Sequence, residues 1–283
     1  MGLFGSSILK KLLRNRLATF GIMILAGLFV LAVFAPYIAP HDPYEQDFFR
    51  TLEGPSLEHP LGTDELGRDV FSRIIYGSRI SITIGFISAL IGLVVGVPIG
   101  AISGYYGGKI DIISQRFIDI MMAFPGILLA IVIVAVMGVG LINAMIAVGV
   151  ISIPTYVRLV RGSVLSVKNK EYVEAARALG WGNGVIIFKH VLPQCLSPLI
   201  VQSSLLVATA ILWAAGLGFL GLGAQPPTPE WGAMLSQGRG YIRTAHHLTT
   251  YPGLAIVLAV LGFNLVGDGL RDALDPKMSK NGI

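Results

Sequence analysis

The chain has 283 residues, of which 54% are hydrophobic and 13% charged, with a net charge of +5 and a mean hydropathy of +0.73. About a quarter of an ordinary soluble domain is charged, so a soluble enzyme or scaffold is excluded. No basic face is visible of the kind that holds nucleic acid, and the single cysteine, Cys195, excludes an intrachain disulfide.

Residues 1–16 read as a short amphipathic helix, with Ile8, Leu9, Leu12 and Leu13 on one side and Lys10, Lys11 and Arg14 opposite. Such a segment lies in the lipid headgroup region. Leu17–Ala35 carries no charge and supplies a first span, since crossing a bilayer takes about 20 apolar residues. It is too long for the core of a cleaved signal peptide, and Pro36 and Pro40 follow where cleavage would fall. Residues 36–79 form a proline-rich loop with eight acidic residues between Asp42 and Asp69. Within it Thr63 or Asp64 is expected to cap a brief helix over Asp69–Ser78, with Arg68 paired locally.

Ile80–Gly108 is the second uncharged run. Its Gly92, Gly96, Gly100 and Gly104 recur every fourth residue and share one helix face, a surface for backbone-to-backbone helix packing. The 38 residues from Ile120 to Val157 are too many for one span. Gly138, Gly140 and Asn143 divide them into a hairpin of two helices, and Arg116 and Asp119 before them read as an interfacial pair. His190–Pro229 and Thr244–Gly267 complete six spans. Between these two, residues 224–250 form a loop in which Gln225–Trp231 is irregular because of its prolines. Gly232–Tyr241 reads as a short interfacial helix, with Trp231 and Tyr241 in the aromatic belt. Residues 80–272 thus form a five-span core and residues 273–283 a tail; Arg271, at the close of the last helix, can pair with Asp275 across one turn.

Lys and Arg are enriched on the cytoplasmic side of membrane proteins. With the N-terminus inside, 15 of the 21 Lys and Arg residues fall on that side, and both termini are cytoplasmic. So is the loop 162–195. There Asn169 is expected to cap a helix beginning at Glu171. Tyr172, Ala175, Ala176 and Leu179 make a narrow apolar stripe, Glu174 and Arg177 pair on its flank, and Gly180 ends the helix in a left-handed conformation. A second short helix, Val185–Val191, is expected to stop at Pro193. Two helices at an angle offer a small-residue surface and a carboxylate to a cleft on another protein.

Glu174-Ala175-Ala176, three residues, Gly180, and then Leu192-Pro193 after a further eleven resemble the conserved cytoplasmic loop of permease subunits of binding-protein-dependent ABC importers. His190 stands where that family usually has Ile. Leu61–Arg73, Gln225–Trp231 and Phe263–Pro276 are similar to the peptide and nickel branch, the combination being closest to the second permease of dipeptide importers. The resemblance implies an all-α, six-helix membrane protein with the type I ABC importer permease fold, and no catalytic residues. Glu174, Ala175, Ala176, Arg177, Gly180, Leu192 and Pro193 would couple it to an ATP-hydrolysing subunit. It also implies four kinds of partner: a homologous second permease, two ATP-binding subunits carrying ATP and Mg, a periplasmic or lipid-anchored binding protein, and membrane lipid.

The chain itself is expected to need no cofactor or metal. An ion-coupled secondary transporter would place charged groups within its spans, and the uncharged runs argue against that. A membrane-embedded enzyme would need paired polar groups; Asn143, Gln202 and Asn264 are too scattered. Nickel import remains a subclass within the same branch.

Overall fold

The computed structural model describes residues 11–274. Their regular elements are helical, apart from one isolated bridge between Thr63 and Asp69. In chain order they are α1 Arg16–Val33, α2 Ala35–Ile38, α3 Val70–Tyr106, α4 Gly108–Ala123, α5 Gly126–Met137, α6 Leu141–Val167, α7 Glu171–Ala178, α8 Asn183–Ile186, α9 Leu196–Phe219, α10 Trp231–Gly238 and α11 His247–Leu274. Five helices are long and apolar enough to cross a membrane, α9 together with the helical turns that precede it. The α4–α5 pair makes a sixth span when taken together. Most of the expected N-terminal amphipathic helix, and Asp275, lie outside the described residues.

Two of the expected spans are built differently. No separate helix covers Asp69–Ser78, because Asp69 itself caps α3, accepting from Ser72 N at 2.7 Å, and that helix then runs unbroken for 37 residues. The third span, by contrast, is interrupted: α4 and α5 meet at 93°. Proline disfavours the helical region for the residue before it. Phe124, just before Pro125, is accordingly extended at φ −88°, ψ 136°. The glycine hairpin follows as expected, with Gly138 and Gly140 at φ +96° and +150° and the Asn143 amide donating to the Met137 and Gly138 carbonyls.

α3 and α6 pack along the glycine face. A Cβ on Gly96 would lie 2.6 Å from Tyr156 Cβ, one on Gly100 2.6 Å from Val157 O, and one on Gly104 3.0 Å from Val164 Cβ; Gly92 meets Ser152. Each glycine therefore faces a successive turn of α6. Lipid gives no hydrophobic drive for helices to associate, so close backbone approach and van der Waals contact carry the pairing. A second seam joins α1 to α11, where Gly21 faces Leu265 and Gly262 faces Leu25.

The ends of α3 and α11 opposite residues 168–195 carry a buried polar cap. Asp64 accepts from Leu66 N, Arg68 N and Arg68 Nε, and Arg73 Nε lies 3.4 Å from it. His247, the first residue of α11, places Nε2 3.1 Å from Thr63 O. Trp231 is not in an aromatic belt: it is fully buried and donates from Nε1 to Ile74 O. The prolines before it fold the chain back so that Glu230 caps α10, accepting from Gly232 N and Ala233 N at 2.8 Å. Burial pushes the Glu230 carboxyl up, while those two N–H groups and Ser81 pull it down.

Overpacking a close interface costs about 1–3 kcal/mol. Gly96→Ala is therefore expected to lower the thermal midpoint of the detergent-solubilised protein clearly. Gly162→Ala, where a Cβ would meet nothing within 4 Å, leaves it unchanged or raises it. Equal effects at the two positions would contradict the seam.

Candidate functional site: the elbow between residues 168 and 195

α7 starts at Glu171 but not under an Asn169 cap: Lys170 is the boundary residue and no side chain caps the helix. Glu171 and Glu174 occupy its first turn, where the helix dipole favours negative charge. Val173 and Ala176 are buried in the core cluster that also holds Val164, Val167, Ile186, Val191 and Cys195. Of the expected apolar stripe only Ala176 points inward. Tyr172, Ala175 and Leu179 lie on exposed positions, because the buried register is set one residue along, by Val173. The Glu174–Arg177 pair is not among the ion pairs of the described residues. Instead the Arg177 guanidinium sits 6.0 Å from the centre of the Tyr105 ring.

The helix ends in a Schellman motif. Trp181 N donates to Ala176 O at 3.2 Å and Gly180 N to Arg177 O at 3.0 Å, with Gly180 at φ +79°. After Gly182 the chain becomes helical again at Asn183, widens into a π turn over Ile187–Val191, tightens over Leu192–Cys195 and continues as α9. Pro193 thus does not end a helix. In a regular α-helix its ring would strike the carbonyl four residues back. The wide turn before it relieves that contact, and the missing N–H falls in the first turn of the tightened segment.

Side chains that the sequence did not single out hold this elbow in place. Tyr105 Oη donates to Asn183 Oδ1 at 3.1 Å, and Lys168 Nζ donates to Gly104 O at 2.9 Å. Both tie the elbow to the end of α3, next to the glycine seam. About two turns deeper, Arg161 makes two 2.6 Å bonds to Asp111, locking α4 to α6. Asp119 pairs with Arg158 at 2.8 Å rather than with Arg116, since the α4–α6 packing brings the longer-range partner within reach.

What the elbow leaves open is apolar. Leu179 is 76% and Phe188 73% exposed, and Tyr172, Trp181 and Val185 are also on the surface. His190, at the position where Ile is usual, stacks near Trp181 with ring centres 5.0 Å apart. The geometry combines a stiff, short helix, a rigid base and an uncovered greasy rim. Such a surface can transmit force to whatever grips it; none of its groups is arranged for bond chemistry.

Comparison with known proteins agrees with this reading of the bundle. Residues 96–280 match the family described as the inner membrane component of binding-protein-dependent transport systems. Residues 4–55 match the N-terminal transmembrane domain of oligopeptide transport permease C. The chain therefore belongs to the binding-protein-dependent transport permease family, as a multi-pass subunit of the inner membrane.

A dipeptide transport system permease protein, DppC, of Alkalihalophilus pseudofirmus is 51% identical, with 95% of this chain and 88% of that one aligned. DppC of Haemophilus influenzae is 49% identical over 94% and 92%. A glutathione transport system permease protein, GsiD, of Pectobacterium atrosepticum is also 49% identical, over 95% and 90%. An inward-facing structure of the MetNI methionine ABC transporter superposes with a TM-score of 0.59 at 23% identity, covering 72% of this chain and 97% of that one. The fold is that of the ABC importer permeases.

A side chain at φ near +79° costs about 1–2 kcal/mol. Gly180→Ala is expected to speed hydrogen exchange of the Gly180 and Trp181 amides several-fold. Gly184→Ala, at a position with open space, leaves them unchanged.

Proposed function

We propose that this subunit carries small peptides across the inner membrane and takes its driving force through the elbow at residues 168–195. The observation that carries the reading is a helix locked on its inner side by Val173 and Ala176 while Leu179 and Phe188 stand uncovered. A flexible loop would absorb a displacement; a capped helix tied to α3 and α6 passes it on.

In this reading the elbow and both termini face the cytoplasm, in line with the Lys and Arg asymmetry. Glu174, Ala175, Ala176, Arg177, Gly180, Leu192 and Pro193 form or brace the coupling surface, with Leu179, Trp181, Val185 and Phe188 as its apolar rim. Two ATP-binding subunits holding ATP and Mg do the hydrolysis. One of them grips this elbow, and the other grips that of a homologous second permease. A periplasmic or lipid-anchored binding protein delivers the solute to the opposite face. Gly92, Gly96, Gly100 and Gly104 keep α3 and α6 moving as one body when the elbow is displaced.

Peptides are favoured because relatives named for dipeptide and for glutathione transport stand at nearly the same identity, and glutathione is itself a small peptide. Selectivity is then set mainly by the binding protein, since the spans offer few charges for recognition.

Phe188→Asp and Gly180→Trp are each expected to reduce ATP-dependent peptide uptake about tenfold or more, the scale of an interface hot spot, without loss of membrane insertion. A cysteine at position 179 is expected to crosslink to an ATP-binding subunit. Wild-type uptake by Gly180→Trp, or crosslinks from position 179 only to lipid, would refute the coupling role.

A further inference from the structure

At the end of the bundle opposite the elbow, three metal-ligating side chains converge. His41, His59 and Asp69 each bring one ligand atom to within 4.8 Å of the others. Among the described residues this is the one place where three such donors meet. Backbone groups orient Asp69 and His41, and the side chains of Asp69 and Arg50 orient His59. Asp69 Oδ2 is held by Ser72 N at 2.7 Å, which leaves Oδ1 facing His59 Nδ1 at 3.0 Å. His41 N donates to Ser72 Oγ at 3.1 Å, and His41 Nε2 lies 3.0 Å from Glu58 O. A carbonyl oxygen only accepts, so His41 carries its proton on Nε2 and keeps a lone pair on Nδ1. The two imidazoles lie with ring centres 4.7 Å apart.

We propose that His41, His59 and Asp69 bind a divalent transition metal ion of the zinc class. Two imidazoles and one carboxylate are a donor set that zinc accepts, with bonds of about 2.0–2.2 Å and a fourth position for water. A ring nitrogen whose partner nitrogen donates to a backbone carbonyl is the usual outer-shell arrangement for a ligating histidine. The residues line a cavity of about 130 Å³ with Asp42, Glu45, Asp47 and Glu58 around it. Arg50 is the one guanidinium there, so the wall carries an excess of negative charge that draws cations in.

Arg50 gives the proposal a sharp consequence. Its Nη1 lies 3.3 Å from His59 Nε2, and a guanidinium can only donate, so without metal His59 holds its proton on Nδ1 and points it at Asp69. The ion takes that place. The proton is exchanged through solvent to Nε2, the imidazole stays neutral, and Arg50 turns fully to Glu58 and Glu53, with which it already pairs at 2.8 and 3.6 Å. A bound ion fastens residues 41 and 59 to the cap of α3, and this assignment is independent of what the permease carries.

The test uses the full-length chain, purified in detergent without a polyhistidine tag and dialysed against zinc alone. Metal content and thermal midpoint are then measured. The expected result is one zinc per chain and a raised midpoint. His41→Ala and His59→Gln each weaken binding about tenfold or more, while Arg50→Gln tightens it by removing a positive charge and a competing donor. His41→Ala keeps the His59–Asp69 bond, so it reports on the site even where His59→Gln fails to fold. No uptake of zinc by the wild-type chain at micromolar free metal, unchanged affinity in His41→Ala, or weaker binding in Arg50→Gln overturns the assignment.

Discussion

The architecture depends on the distance between α3 and α6. Four glycines bring the two backbones close enough that a methyl group would collide along three successive turns of the partner helix. In a bilayer this contact cannot come from expelling water, because lipid tails are as apolar as the side chains they surround. Removing side chains from one helix is the remaining way to gain dispersion contact over a long seam. α3 and α6 therefore pack as one unit, and polar contacts anchor both ends of it. At one end Gly104 and Tyr105 receive Lys168 and Asn183 of the elbow. At the other, Asp69 caps α3 and organises the polar cap around His59.

The elbow is held and exposed on different faces, and that division explains its composition. Small residues let α7 lie close to its base, and Val173 fills the space beneath. Charge stays on the flanks, where the helix dipole accommodates Glu171 and Glu174. The glycine at the end lets the chain reverse within two residues, so Trp181 closes the Schellman ring and Asn183 restarts a helix at a new angle. Each of the five unbroken spans leaves half or more of its apolar stretch uncovered, with between 28% and 50% buried. Such surfaces suit lipid and a neighbouring membrane subunit, whereas Leu179, just past α7, lies between two spans.

Charged residues near the spans are spent on fixing neighbours. Arg161 with Asp111 and Arg158 with Asp119 join the first half of the broken span to α6. Asp64 holds Arg68 and Arg73, and Arg68 reaches Gln237 of α10, while His247 joins α11 to Thr63 of the loop before α3. Breaking one partner of a buried pair such as Arg68–Asp64 leaves an uncompensated buried charge, which is costly.

Local patterning was enough to read the helical class, the glycine hairpin, the left-handed end at Gly180 and the face shared by Gly92, Gly96, Gly100 and Gly104. These follow from steric rules and periodicities that act within a few residues. The motif around Glu174 to Pro193 was legible in another way, through its resemblance to the permease family that residues 96–280 match.

What the glycine face packs against was decided by tertiary structure, as were the α1–α11 seam, the inward turn of Trp231 and the choice of Arg158 rather than Arg116 for Asp119. Those partners lie tens to hundreds of residues away along the chain. The register of α7 was also set from outside. Val173 is buried in the cluster that also holds Val164, Val167, Val191 and Cys195, so the stripe read from the helix alone was one residue off. Sequence periodicity reports which residues share a face; only the arrangement of the other helices determines which face is covered.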